Sequence, residues 1–222
     1  MKPISRLLAT AAALAVTQSV MAVTLPANTY VSLPGTTVAA EPQLAGVVLE
    51  DQVQAFSFNN GSGIVSGTVQ SRVVRSSVDG TLDFYWRVIS DRSSAGDIGS
   101  FRLGNFVAPE YNANWRSDGL GNVAPDAAYH FGAPLVGYVN YIFGHTQGDP
   151  YLTPGSESYF MFLDTSATSY GKTALYDLTD PGQGNITTSY ATFAPAVPEP
   201  SSYAMLLLGL AGVGLAAARR RS

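Results

Sequence analysis

Histidines, carboxylates and thiols carry most protein chemistry, and this chain of 222 residues has two histidines, sixteen acidic residues and no cysteine. Disulfides, thiolate nucleophiles and cysteine-held zinc are thereby excluded. His130 stands in AAYHFGAP and His145 in FGHTQGDP, both beside aromatics and turn residues. Neither belongs to an H-E-x-x-H zinc pattern, and the chain contains no G-x-S-x-G nucleophile elbow. Serine, histidine and aspartate far apart in sequence can still meet in space, so a secreted hydrolase stays open as a disfavoured alternative. Asp79 with Asp83, and Asp177 with Asp180, are carboxylates close in sequence. Paired carboxylates serve glycoside hydrolysis, but aspartates flanking turns bond their own backbone, and that reading is preferred. DLTDPGQGN offers oxygens to a structural Ca²⁺ yet lacks the dense D-x-D-x-D spacing of a dedicated loop, so no metal or other cofactor is expected.

Tyr111, Trp115 and Tyr129 fall in residues 104–134, which read as long loops with at most one short element. Exposed aromatic rings suit stacking on sugars, since each offers a flat apolar face with a polar edge. A secreted carbohydrate-binding module using these loops is thus one reading. Packing of the same rings beneath the loops is the other, and the favoured one.

The elements that must position such groups are strands. In TLDFYWRVIS, Leu82, Phe84, Trp86 and Val88 alternate with Asp83, Tyr85 and Arg87, the pattern of a half-buried strand. Asp79-Gly80 before it is a turn, so Ile64 to Val88 reads as a hairpin. Val47 to Phe58, LVGYVNYIF, ESYFMFLDT, TALYDL and NITTSYATF supply further strands. Seven or eight strands punctuated by Gly, Pro, Asn and Asp predict an all-β body at 23–194, a jelly-roll-like β-sandwich. It lies between an N-terminal signal helix and a short C-terminal transmembrane helix. The body is expected to be structural or adhesive and not an enzyme.

Charge is segregated. Five of the twelve basic residues lie at the ends (Lys2, Arg6, Arg219, Arg220 and Arg221), and all sixteen acids lie between Glu41 and Glu199, so the part between the ends carries a net −9. Such a surface excludes nucleic acid as a partner, because phosphates demand Lys and Arg.

Both ends read as trafficking segments. Lys2 and Arg6, the apolar run Leu7–Val16 and Val20-Met21-Ala22 make a secretory signal over residues 1–22, cut after Ala22 by signal peptidase once the translocon has engaged it. Residues 195–202 are a linker. Residues 203–222 begin with Tyr203–Ala218, sixteen residues without a charge, and end on Arg219-Arg220-Arg221-Ser222. Sixteen residues span about 24 Å as a helix, marginal for a bilayer core of about 30 Å. The arginines would stay cytoplasmic. Pro198-Glu199-Pro200 ahead of this stretch is forced to be extended, the shape a protease takes in its cleft.

The order V-P-E-P-S-S, apolar stretch, R-R-R resembles the PEP-CTERM sorting signal, also called an ice-binding-protein C-terminal motif. Ser202 and Tyr203 stand where the family often has Thr and Trp. The resemblance implies an exported protein of a biofilm-forming, exopolysaccharide-making Gram-negative bacterium. It implies that an exosortase, a membrane protease-transpeptidase, recognises Pro198, Glu199 and Pro200. It also implies that the apolar stretch anchors the chain transiently and that Arg219, Arg220 and Arg221 retain it until processing. The cell surface or extracellular matrix would be the final location. The body resembles middle domains of other PEP-CTERM proteins over SGTVQSRVVRSSVDGTLDFYWRV and FLDTSATSYGKTALYD, which implies a fold and no activity. It has no flat T-x-T ranks, so the ice-binding name carries no functional weight.

Overall fold

The structure, a computed structural model, describes residues 21–196. The signal segment ahead of Met21, Pro198-Glu199-Pro200, residues 203–218 and Arg219–Arg221 lie outside the described residues.

The fold is all-β. β1 (Val23–Thr24), β3 (Gly46–Asn59), β4 (Ile64–Ser76), β5 (Leu82–Ser90), β7 (Asn112–Arg116) and β10 (Phe160–Asp164) form one antiparallel sheet, sheet A, in the order β1-β7-β10-β5-β4-β3. β2 (Thr29–Ser32), β6 (Ser100–Gly104), β8 (Ala127–His130), β9 (Val139–Ile142), β11 (Tyr170–Thr179) and β12 (Tyr190–Pro195) form sheet B, in the order β12-β11-β6-β9-β8-β2. The expected hairpin is present as β4–β5, with Gly80 at φ 76 in its turn. β3 pairs with β4 along its length and closes through Gly61.

Among the described residues twelve strands replace the expected seven or eight: the short β1, β2 and β6 are added, and residues 104–134 hold two of their own, β7 and β8. β7 lies inside sheet A between β1 and β10, and β8 lies inside sheet B. NANWR and AAYH escape an alternation search because their buried positions are filled by alanine and asparagine: Ala113, Ala128 and Asn114 are all fully enclosed. The chain also stays folded beyond residue 194, since β12 runs through Pro195 and Ala196 N–H donates to Ser169 O.

The facing sides of the two sheets share one core. Leu82, Phe84, Trp86 and Val88 of β5 meet Phe101 and Leu103 of β6, Tyr141 of β9 and Tyr176 of β11. Trp86 Nε1–H donates to Thr192 Oγ1 at 2.9 Å, which satisfies its one polar atom from the opposite sheet. β5 is not half-buried as its alternation predicts. Its outer side is covered by residues 36–45, which include a short 3₁₀ turn (Pro42–Leu44), and Leu44, Val74, Tyr85, Phe160 and Phe162 form a second, smaller core there.

Candidate functional site

The sequence-predicted aromatics do not converge. Tyr111 is buried, its hydroxyl donating to Phe106 O, its ring 4.2 Å from that of His130. It is unavailable as a stacking surface. Trp115 is half-buried on sheet A, stacked on Tyr159 at 4.8 Å, with its Nε1–H donating to Leu33 O. Tyr129 lies on the other sheet. Packing beneath the loops therefore accounts for Tyr111, and largely for Trp115. His130 is committed as well, with Nδ1 3.3 Å from Leu25 O.

The adjacent aspartates resolve into separate roles. Asp79 accepts from Thr81 N–H and Oγ1–H, and those bonds hold its carboxyl below the usual range. Asp180 accepts from Gly184 N–H and from the backbone and side-chain N–H of Asn185, so the loop's own donors occupy the oxygens considered for Ca²⁺. Among the described residues no group of three His, Asp or Glu is placed to hold a metal ion. The carboxylate pair that does form is one the sequence did not show: Asp83 of β5 lies directly opposite Asp164 of β10 on sheet A's covered face. Asp83 is fully buried, and among the described residues neither of its oxygens accepts a hydrogen bond. Burial, then the negative charge of Asp164, pushes its carboxyl up to about 9. A protonated acid sealed behind its neighbour is no platform for a substrate.

The outer face of sheet B offers a different arrangement. Register places Asp177 (β11), Arg102 (β6), Asn140 (β9), Tyr129 (β8) and Tyr30 (β2) side by side across five strands. At about 4.8 Å between strands the rank is about 19 Å long. Each of Arg102, Asn140 and Asp177 is a polar residue flanked by buried neighbours in its strand (F-R-L, V-N-Y, Y-D-L), so alternation turns it outward. Arg102 Nε–H donates to Asp177 Oδ1 at 2.6 Å. At the other end Tyr30 lies 4.6 Å from Tyr129 and 4.6 Å from His145, on which it stacks. His145 is held there by Asp126, whose Oδ2 accepts its backbone N–H at 2.7 Å. Phe131 meets Tyr129 edge-on. Beside the polar end is a cleft of about 250 Å³ walled by Phe131, Leu135, Tyr138 and Leu175. Gly104 lets Tyr138 lie across β6, since a Cβ there would be 3.1 Å from its ring.

Fold and site together define an all-β, two-sheet protein whose outer face is covered over β5 and β10 on sheet A and open on sheet B. Beyond the fold, residues 196–221 match the PEP-CTERM protein-sorting motif, so the chain carries that signal. The motif supports an exported protein processed by an exosortase. Comparison with curated proteins and with solved structures finds no match. Among the described residues no helix is long and apolar enough to cross a membrane. Ala22, the expected cleavage residue, immediately precedes β1 and packs on the smaller core.

Proposed function

We propose that this chain is a non-enzymatic structural or adhesive component of the cell envelope or extracellular matrix, delivered through its C-terminal signal. The observation that carries the reading is the sorting motif over residues 196–221. In this reading Pro198, Glu199 and Pro200 are the element an exosortase recognises, residues 203–218 anchor the chain until it acts, and Arg219–Arg221 retain the tail inside. Signal peptidase releases Val23, the first residue of β1. The body then serves outside the cell, held together by its core in place of disulfides.

Intact mass of the protein from envelope and from culture supernatant tests this. The wild type is expected to begin at Val23 and to lack the arginine tail outside the inner membrane. A Pro198→Ala/Glu199→Ala variant is expected to keep the tail and to remain in the inner membrane. Identical masses with Arg219–Arg221 retained in both would leave a plain membrane tether.

A further inference from the structure

We propose that the outer face of sheet B binds a neutral pyranose chain, with the rank from Asp177 to Tyr30 as its track. The proposal deepens the adhesive reading above and rests on it. A sugar ring is amphipathic: its C–H faces pack on aromatic rings while its hydroxyls, each donor and acceptor at once, need polar partners at the ring edge. The rank supplies both in sequence. Tyr30 is 54% exposed and stacked on His145, which fixes an aromatic surface in the open. Tyr138 and Leu175, each 38% exposed, give the polar end an apolar wall.

The polar end is pre-set for hydroxyls. The Arg102–Asp177 bond uses Nε and Oδ1, and among the described residues the guanidinium's terminal nitrogens, Asp177 Oδ2 and the Asn140 side-chain amide make no hydrogen bond. Donors and acceptors thus lie alternately along the rank, and the ion pair holds two of them in one orientation. Asn140 is only 9% exposed, so its amide is shaped by the sheet and not by solvent.

Neutrality follows from charge. Among the described residues lining the cleft the one cation, Arg102, is already matched by Asp177 at 2.6 Å. An acidic sugar would bring an unmatched carboxylate to a protein whose exported part is strongly negative. A phosphate or nucleic acid fails on the same ground.

The test uses the chain purified from membranes in mild detergent, so that it does not depend on tail processing. The protein is run by affinity electrophoresis through gels containing dextran, galactomannan or xylan, with alginate as the acidic comparator. At least one neutral polysaccharide is expected to retard it. Tyr30→Ala and Asn140→Ala are each expected to weaken that retardation about tenfold or more, while Val53→Ser on sheet A leaves it intact. Tyr30 is exposed, so its loss does not endanger folding, and melting temperature checks both variants. The proposal is overturned by no retardation in any neutral gel, by retardation in alginate alone, or by retardation that both variants leave unchanged. Tail fate is read separately by mass, so failure of the sorting reading and failure of this site are distinguishable.

Discussion

The outer faces of the two sheets have opposite fates. On sheet A, residues 36–45 fold back over β5 and β10, and Tyr85 donates its hydroxyl proton to Leu44 O at 3.2 Å. Phe160 lies under the guanidinium groups of Arg72 and Arg87, at 4.8 and 5.3 Å. On sheet B the equivalent side keeps Tyr30, Tyr138 and Leu175 in solvent and pairs its charges with each other. Among the described residues, the covered face encloses an acid that has no donor, and the open face presents donors and acceptors without protein partners. Burial of a polar group without compensation costs stability, so sheet A's outer face is where the fold is vulnerable. Sheet B's outer face is free to be shaped by a ligand.

The largest effect expected from this contrast is a pH dependence. Asp83 of β5 lies opposite Asp164 of β10, with Asp79 in the preceding turn and Glu41 in the covering segment, and burial followed by these charges raises its carboxyl to about 9. Asp164 is raised too, by burial first. The unfolded chain releases such a proton near pH 4, whereas the fold retains Asp83's until about pH 9. The unfolded state therefore binds fewer protons across that window. Stability is full below it and falls by up to about 1.4 kcal/mol per pH unit as pH rises. Thermal melts from pH 5 to pH 9 are expected to show a falling Tm, and Asp83→Asn, whose amide can donate to the Asp164 carboxylate, is expected to flatten the curve and to raise Tm at pH 8. A wild-type Tm that stays level over this range would remove the asymmetry between the faces.

Next in size is the small core under residues 36–45. Phe162 is fully buried there, between Tyr85 and the covering segment. Phe162→Ala is expected to cost about 3–5 kcal/mol, the range for emptying a packed aromatic site, measured by urea denaturation. A loss under about 1 kcal/mol would mean that the cover is loose and that both faces are effectively open.

Much of the inter-sheet core was legible from the sequence, while much of either outer face was not. In TLDFYWRVIS the alternation assigns Leu82, Phe84, Trp86 and Val88 to one side, and those are the residues that meet sheet B. The same alternation puts Asp83, Tyr85 and Arg87 on a solvated side, and there it fails, because the cover comes from a segment some forty residues upstream whose only deeply buried apolar residue is Leu44. Sheet B's rank was hidden for a different reason. F-R-L, V-N-Y and Y-D-L each show one outward polar residue, but which strands are neighbours is not written in any of them, so Arg102, Asn140 and Asp177 could not be grouped. Tyr129 is conspicuous by its ring, whereas its partner Tyr30 sits in a four-residue strand with no core-forming pattern.

Gly104 tests how closely the cleft is fitted. A Cβ added there would come within 3.1 Å of the Tyr138 ring, so Gly104→Ala is expected to push Tyr138 aside at a cost of about 1 kcal/mol, the low end of overpacking. Glycan retardation should weaken alongside. Unchanged retardation would confine binding to the Tyr129–Tyr30 end.

The smallest stability effect sharpens the comparison most. Tyr30→Ala removes an aromatic ring, as Phe162→Ala does, yet Tyr30 is an exposed side chain on an edge strand, in contact with Tyr129 and His145. Surface changes of this kind stay within about 0.5 kcal/mol, so its Tm should match the wild type closely. A stability loss comparable to that of Phe162→Ala would show that Tyr30, Tyr129 and His145 form a third core and that the ring is held for packing. A silent melt together with lost retardation would mean the opposite: the ring is tolerated in water because its packing partner arrives from outside.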